Sequence, residues 1–75
     1  MDKNERTIVK AAQRILDATY DQLEVIAEKG TEEFDALTDE EILTRTGEKM
    51  HETVCALLDT LSYLKDAIDR LKVIE

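Results

Sequence analysis

The chain has no proline and no tryptophan, only two glycines among 75 residues, and a single cysteine, Cys55. Scarce Pro and Gly beside abundant Ala, Leu, Glu and Lys point to an all-α protein, because nothing interrupts a helix and most residues favour one. One cysteine excludes an internal disulfide, and a lone thiol fits a reducing cytoplasm better than a secreted scaffold. No stretch approaches the roughly 18 apolar residues needed to span a bilayer. The opening MDKNERTIVK is charged and has no apolar run, so no secretory leader is expected. A soluble cytoplasmic protein with no membrane partner is the expectation.

Seventy-five residues leave room for one domain. A chain this short buries only about 60% of the surface its unfolded form exposes, and is marginal alone. Small scaffolds make up the deficit with disulfides, a metal or a second subunit. With disulfides excluded, a second subunit is the expected source. Disorder is not expected, since apolar residues form 43% of the chain and are periodic.

What the chain does have is two helical repeats. In the first half Val9, Ala12, Leu16, Leu23 and Ile26 recur at three- and four-residue steps, with Thr19 filling the gap. Ile8 and Ile15 widen that stripe beyond a two-stranded seam. A helix over about 5–29 is predicted, with Gly30 as a left-handed stop. In the second half Met50, Val54, Leu57, Leu61, Leu64, Ile68 and Leu71 run through three heptads without a fault, and Leu58 lies on the flank. Between the repeats, Thr38 and Glu41 have the spacing of a capping box. The heptad count runs back through Gly47 to Leu43, which argues for one continuous helix, whereas matched rod lengths argue for a break. We read an acidic corner over 30–38, a short helix over 39–46 kinked at Thr46-Gly47, and a long helix over 48–74. Two such rods make an antiparallel helical hairpin. Each stripe is too wide for one partner to cover, so pairing two hairpins into a four-helix bundle, a homodimer, is the expected assembly. A monomeric three-helix bundle is disfavoured, because the middle helix is too short to cover both rods.

Charge is distributed very unevenly. Residues 1–16 hold four bases and two acids, residues 17–41 ten acids and one base, and residues 42–75 five bases and six acids. Nearly all of the net −8 therefore sits in one third of the chain. Asp17, Asp21, Glu24 and Glu28 share one side of the first helix, and Glu32, Glu33 and Asp35 carry the acidity into the corner. Acids at the start of the short helix complement its dipole. The bases Lys10 and Arg14 early in the first helix, and the acids late in it, oppose that helix's own dipole. The acidic residues therefore read either as a solvated face or as a surface meeting something basic.

The chemistry-bearing residues are few. Glu48, His51, Glu52 and Cys55 lie within two turns, and His51 and Cys55, four apart, have the spacing of two facing metal ligands or of a thiol and its base. There is no second His or Cys, and no Gly-rich turn or pocket-forming loop accompanies them. No metal, cofactor or catalytic residue is expected, and no enzymatic activity. Tyr20 and Tyr63 border the stripes, where a ring packs and its hydroxyl stays wet. Only Lys3, Arg6, Lys10 and Arg14 offer bases to phosphates, so direct nucleic-acid binding is disfavoured. Two functions fit. One is a small dimeric adaptor, chaperone or regulator acting through protein–protein contacts. The other is an acidic inhibitor of the phage or mobile-element type, imitating nucleic acid against a basic nucleic-acid-binding protein.

Overall fold

The computed structural model describes residues 1–74. Three helices follow one another: α1 over Lys3–Asp35, the single turn α2 over Asp39–Ile42, and α3 over Arg45–Lys72. Among the described residues there is no strand, and no helix is long and apolar enough to cross a membrane. α1 and α3 run antiparallel. Gln13 meets Leu71 near the termini and Gly30 meets Val54 near the corner, so residue numbers facing each other keep a nearly constant sum. The result is a rod of 58 × 15 × 14 Å.

α1 is longer than the sequence pattern predicts. It passes through Gly30 without a left-handed residue and continues to Asp35, where Ala36 caps it. The glycine serves packing instead: a Cβ there would stand 3.3 Å from a Val54 methyl of α3. Beside it Ala27 is only 2% exposed, so two small residues let the helices close on each other. Ile26, read as a seam residue, is instead 53% exposed. The reason is the 3.6-residue turn: after Leu23 the inward position advances by four to Ala27, because an unsupercoiled helix drifts away from a seven-residue repeat. The inward line continues through Phe34 to Leu37, both half-buried.

α3 turns its heptad line toward α1. Leu61 and Ile68 are buried, and Met50, Val54, Leu57, Leu64 and Leu71 are half-buried along the same line. Its start differs from the expected boundary. The chain breaks at Leu43-Thr44 rather than at Thr46-Gly47, and Thr44 is the N-cap, its hydroxyl accepting from the Gly47 N–H at 3.2 Å. The same hydroxyl donates to the Glu41 carbonyl at 2.6 Å, tying α2 to α3. The short helix is thus one turn over Asp39–Ile42 instead of 39–46, and the corner is confined to the residues between Asp35 and Asp39. Gly47 lies inside the first turn of α3 and is buried. A Cβ there would run into the Glu41 carbonyl oxygen and stand 2.8 Å from the Ile42 Cα, so only glycine lets α2 fold back so closely.

At the other end Gln13 donates from Nε2 to the Leu71 carbonyl at 2.7 Å. That carbonyl belongs to the last turn of α3 and also accepts from the Ile74 N–H at 3.1 Å. The corner and this hydrogen bond hold the two ends of a seam whose middle is apolar.

Gly47→Ala should destabilise the protein by about 1–3 kcal/mol, the usual cost of forcing atoms into a packed site. Gly30→Ala should cost far less, because the nearest obstacle is a movable methyl and alanine gains about 1 kcal/mol in helix propensity. Urea unfolding followed by circular dichroism checks both, and equal effects would contradict this account of the corner.

Candidate functional site

Because the hairpin has two faces beside its seam, each helix turns one side to either face. On the first, Ile8, Ala12, Ile15, Thr19, Gln22 and Ile26 follow one another along α1 at steps of three and four. Thr53, Leu57, Thr60, Leu64, Ala67 and Leu71 do the same along α3. Neither stripe contains a charge, and each spans about 27 Å at 1.5 Å per residue. Ile8 and Ile15 are both 65% exposed. Toward the corner this face sinks into a groove of about 430 Å³, in which Ile26 and Gly30 meet Met50, Thr53 and Leu57. Lys29, Glu33 and Lys49 stand at its corner end. This is the open apolar face.

The opposite face is charged. Tyr20, Glu24, Glu28 and Glu32 of α1 line a groove of about 570 Å³ with Leu58, Leu61 and Lys65 of α3. Because α1 stays helical through Asp35, Glu32 and Asp35, expected to carry the row into a corner, stand on the helix itself. Asp17, Asp21, Glu24, Glu28, Glu32 and Asp35 then form a row about 27 Å long. All six are exposed. Glu33, grouped with them in the sequence, is instead on the open apolar face. At the terminal end of the charged side, Arg6, Lys10 and Lys72 border a third groove, of about 430 Å³.

Two capping boxes fix carboxylates locally. Asp2 accepts from the Glu5 N–H at 2.8 Å while Glu5 accepts from the Asp2 N–H at 3.1 Å. Thr38 and Glu41 exchange the same pair of bonds at 3.2 and 3.0 Å, as their spacing predicts. The Asp2-x-x-Glu5 box has the same plain spacing. The Glu5 backbone N–H holds the Asp2 carboxyl below its ordinary value, and the Thr38 backbone N–H does the same for Glu41.

His51 and Cys55 do come together, with Sγ 3.7 Å from Nε2, both exposed. The His51 ring leans on Phe34, centroids 5.4 Å apart, which brings α1 against this turn of α3. No group of three or more His, Cys, Asp or Glu able to hold a metal ion exists among the described residues. The pair is a local contact that helps seat the end of α1. Phe34 and Gln13 are the packing residues that stripe counting missed, the first because it lies beyond the expected helix end and the second because it is polar.

Compared with known proteins, the chain matches no family model, no curated protein and no solved structure.

The lowered carboxyl of Glu41 gives a signed prediction. A folded-state pKa below the unfolded one contributes stability that is complete above the ordinary value of 4.5 and is lost as pH falls through the lowered one. Glu41→Ala should therefore melt below the parent at pH 7, and the gap should close as pH falls below the ordinary value of 4.5 and through the lowered one. Thermal melts followed at several pH values test this; a gap independent of pH would remove the carboxylate from the cap.

Proposed function

We propose that this chain is a non-enzymatic protein-interaction module that acts as a homodimer of helical hairpins, packed as a four-helix bundle through the open apolar face. In that role it is an adaptor, chaperone or regulator that leaves its carboxylate rows free for a partner. The observation that carries the reading is how much surface one copy leaves uncovered. A compact monomer of 8.6 kDa exposes about 4,700 Å², and this chain exposes 6,094 Å². Its radius of gyration is 17.1 Å, against about 11 Å for a compact 75-residue domain. Among the described residues only Ala27, Leu61 and Ile68 form its buried apolar core. Two charge-free stripes beside so thin a core are what a bundle interior needs, and each Ile covered by a partner adds about 1.5–3 kcal/mol.

The carboxylate row favours a second reading, an acidic inhibitor that occupies the phosphate-binding Lys and Arg of a nucleic-acid-binding protein. Six exposed carboxylates on one helix side, about 5–6 Å apart, support it. Spacing somewhat closer than phosphates along a strand makes the imitation approximate.

The dimer is tested by sedimentation. The parent should be dimeric at tens of micromolar, and Ile15→Asp with Ile26→Asp should make it monomeric. Val25→Asp is the control: Val25 is 67% exposed but points away from both α3 and the open face, so the dimer should persist. A monomeric parent at high micromolar concentration would discard the assembly. The two functions separate by salt and charge. Changing Asp21, Glu24, Glu28 and Glu32 to Lys should release a nucleic-acid-binding target while leaving the helical signal intact. An adaptor's partner should instead survive about 0.5 M salt, where the Debye length is a few ångströms.

A further inference from the structure

We infer that the groove on the charged side of the hairpin takes one amphipathic helix of another protein, with an apolar stripe and a row of Lys or Arg along one edge; this rests on the interaction-module reading above, and not on the dimer, which uses the opposite face. The observation is an apolar floor beside a one-sided acidic wall. Ala27, Leu58 and Leu61 form the floor of the groove of about 570 Å³, and Glu24, Glu28 and Glu32 line its α1 wall. Leu58 is 50% exposed, so the floor still has apolar area in water. Thr31, which borders the floor, donates its hydroxyl to the Ala27 carbonyl at 2.9 Å and asks nothing polar of an occupant.

The floor decides the shape. It runs from Tyr20 to Glu32 on α1, about 18 Å or some three helical turns. Two rods side by side leave a trough between them, and a third rod fills it with side chains at three- and four-residue steps. The walls decide the charge. On α1, Glu24, Glu28 and Glu32 recur at four-residue steps, and Asp17, Asp21 and Asp35 extend the row. On α3 the facing edge is His51, Cys55, Leu58 and Ser62, again at three- and four-residue steps, with no carboxylate before Lys65. A helix lying in the trough meets acid along one edge and none along the other. Lysines or arginines four residues apart on that one edge match the row at its own pitch, whereas a phosphate backbone is repelled by it.

A second copy of this chain does not offer the combination. Its bases Lys3, Arg6, Lys10 and Arg14 share their side of α1 with Gln13 and Asp17 and no large apolar residue. Its open apolar face has anchors but no row of bases.

The test uses the intact chain and a synthetic peptide of about 18 residues, long enough to be partly helical alone. The peptide carries leucines at three- and four-residue steps, lysines at four-residue steps along one edge of that stripe, and a tryptophan in place of one central leucine. The chain has no tryptophan, so the emission of the peptide reports its burial against the floor. The peptide should bind with a blue shift. A peptide of the same composition in scrambled order should bind weakly and without the shift. Leu58→Asn should weaken binding about tenfold, as the loss of one covered leucine contact does, and reduce the shift. Glu24→Gln with Glu28→Gln should weaken binding by a similar factor and flatten its dependence on salt. Ser62→Arg, at an exposed position on the α3 wall, is a second block that leaves the seam untouched, and circular dichroism checks that each variant is helical. Equal binding of the two peptides, binding without a shift, or no binding by the parent overturns the inference. Sedimentation separates it from the dimer. A dimer that binds no peptide loses the groove alone, and a monomer that binds the peptide keeps the groove and loses the dimer. Self-association that survives Ile15→Asp with Ile26→Asp and is blocked by the peptide would seat a second copy in the groove, and would overturn the inference as well.

Discussion

Two helices in contact along one line can cover only one side of each other, and the rest of this structure is organised around that constraint. α1 and α3 meet along a seam in which most residues are half-buried and, among the described residues, only Ala27, Leu61 and Ile68 are buried apolar side chains. A third helix of comparable length would close one face, but α2 is a single turn at the corner. The charge-free stripes that flank the seam on one side are therefore left to water or to another chain. An 8.6 kDa chain with this much exposed surface has little hydrophobic stabilisation to set against the ordering of its backbone.

The seam is maintained by residues that carry little apolar area. Ala27 and Gly30 bring the corner halves of the two rods together, and Gly47 lets α2 sit on the first turn of α3. Thr38 and Thr44 start α2 and α3 in succession, each supplying an oxygen to an N–H that the helix start leaves unpaired. At the far end Gln13 ties α1 to a carbonyl of the last turn of α3. These contacts place the break between the helices and set the register with which Leu16, Leu23, Leu61 and Ile68 meet. Register then decides which residues are turned outward. Ile8, Ile15 and Ile26 fall on one face and the row from Asp17 to Asp35 on the other.

Segregation of charge from the open face bears on the proposed assembly. If the acidic row lay among the isoleucines, covering that face would strip water from several carboxylates at a cost larger than the apolar gain. Instead, covering the open face leaves every row carboxylate in solvent. The late acids still run against the dipole of α1 and repel each other at four-residue steps, each effect amounting to a few tenths of a kcal/mol. An arrangement unfavourable to its own helix, and spread along its whole second half, is consistent with a role outside the chain.

The amino-acid order by itself determined the helical class, the α3 seam from Met50 to Leu71 and the capping box at Thr38. Helical periodicity and capping are local properties, set by spacing within a few residues. It determined the carboxylate side of α1 as well, because four-residue spacing fixes a side wherever the helix stands. What only the tertiary structure decided was where the helices end and which glycine does what. Gly30 reads locally as a stop, yet the contact with Val54 keeps it helical and makes it a packing residue. The heptads run unbroken through Gly47, yet the chain turns three residues earlier, because Thr44 caps α3 and α2 folds back against the glycine. Between Ile26 and Ala27, both of which suit the stripe, the drift of a straight helix from the seven-residue repeat puts the smaller one against α3.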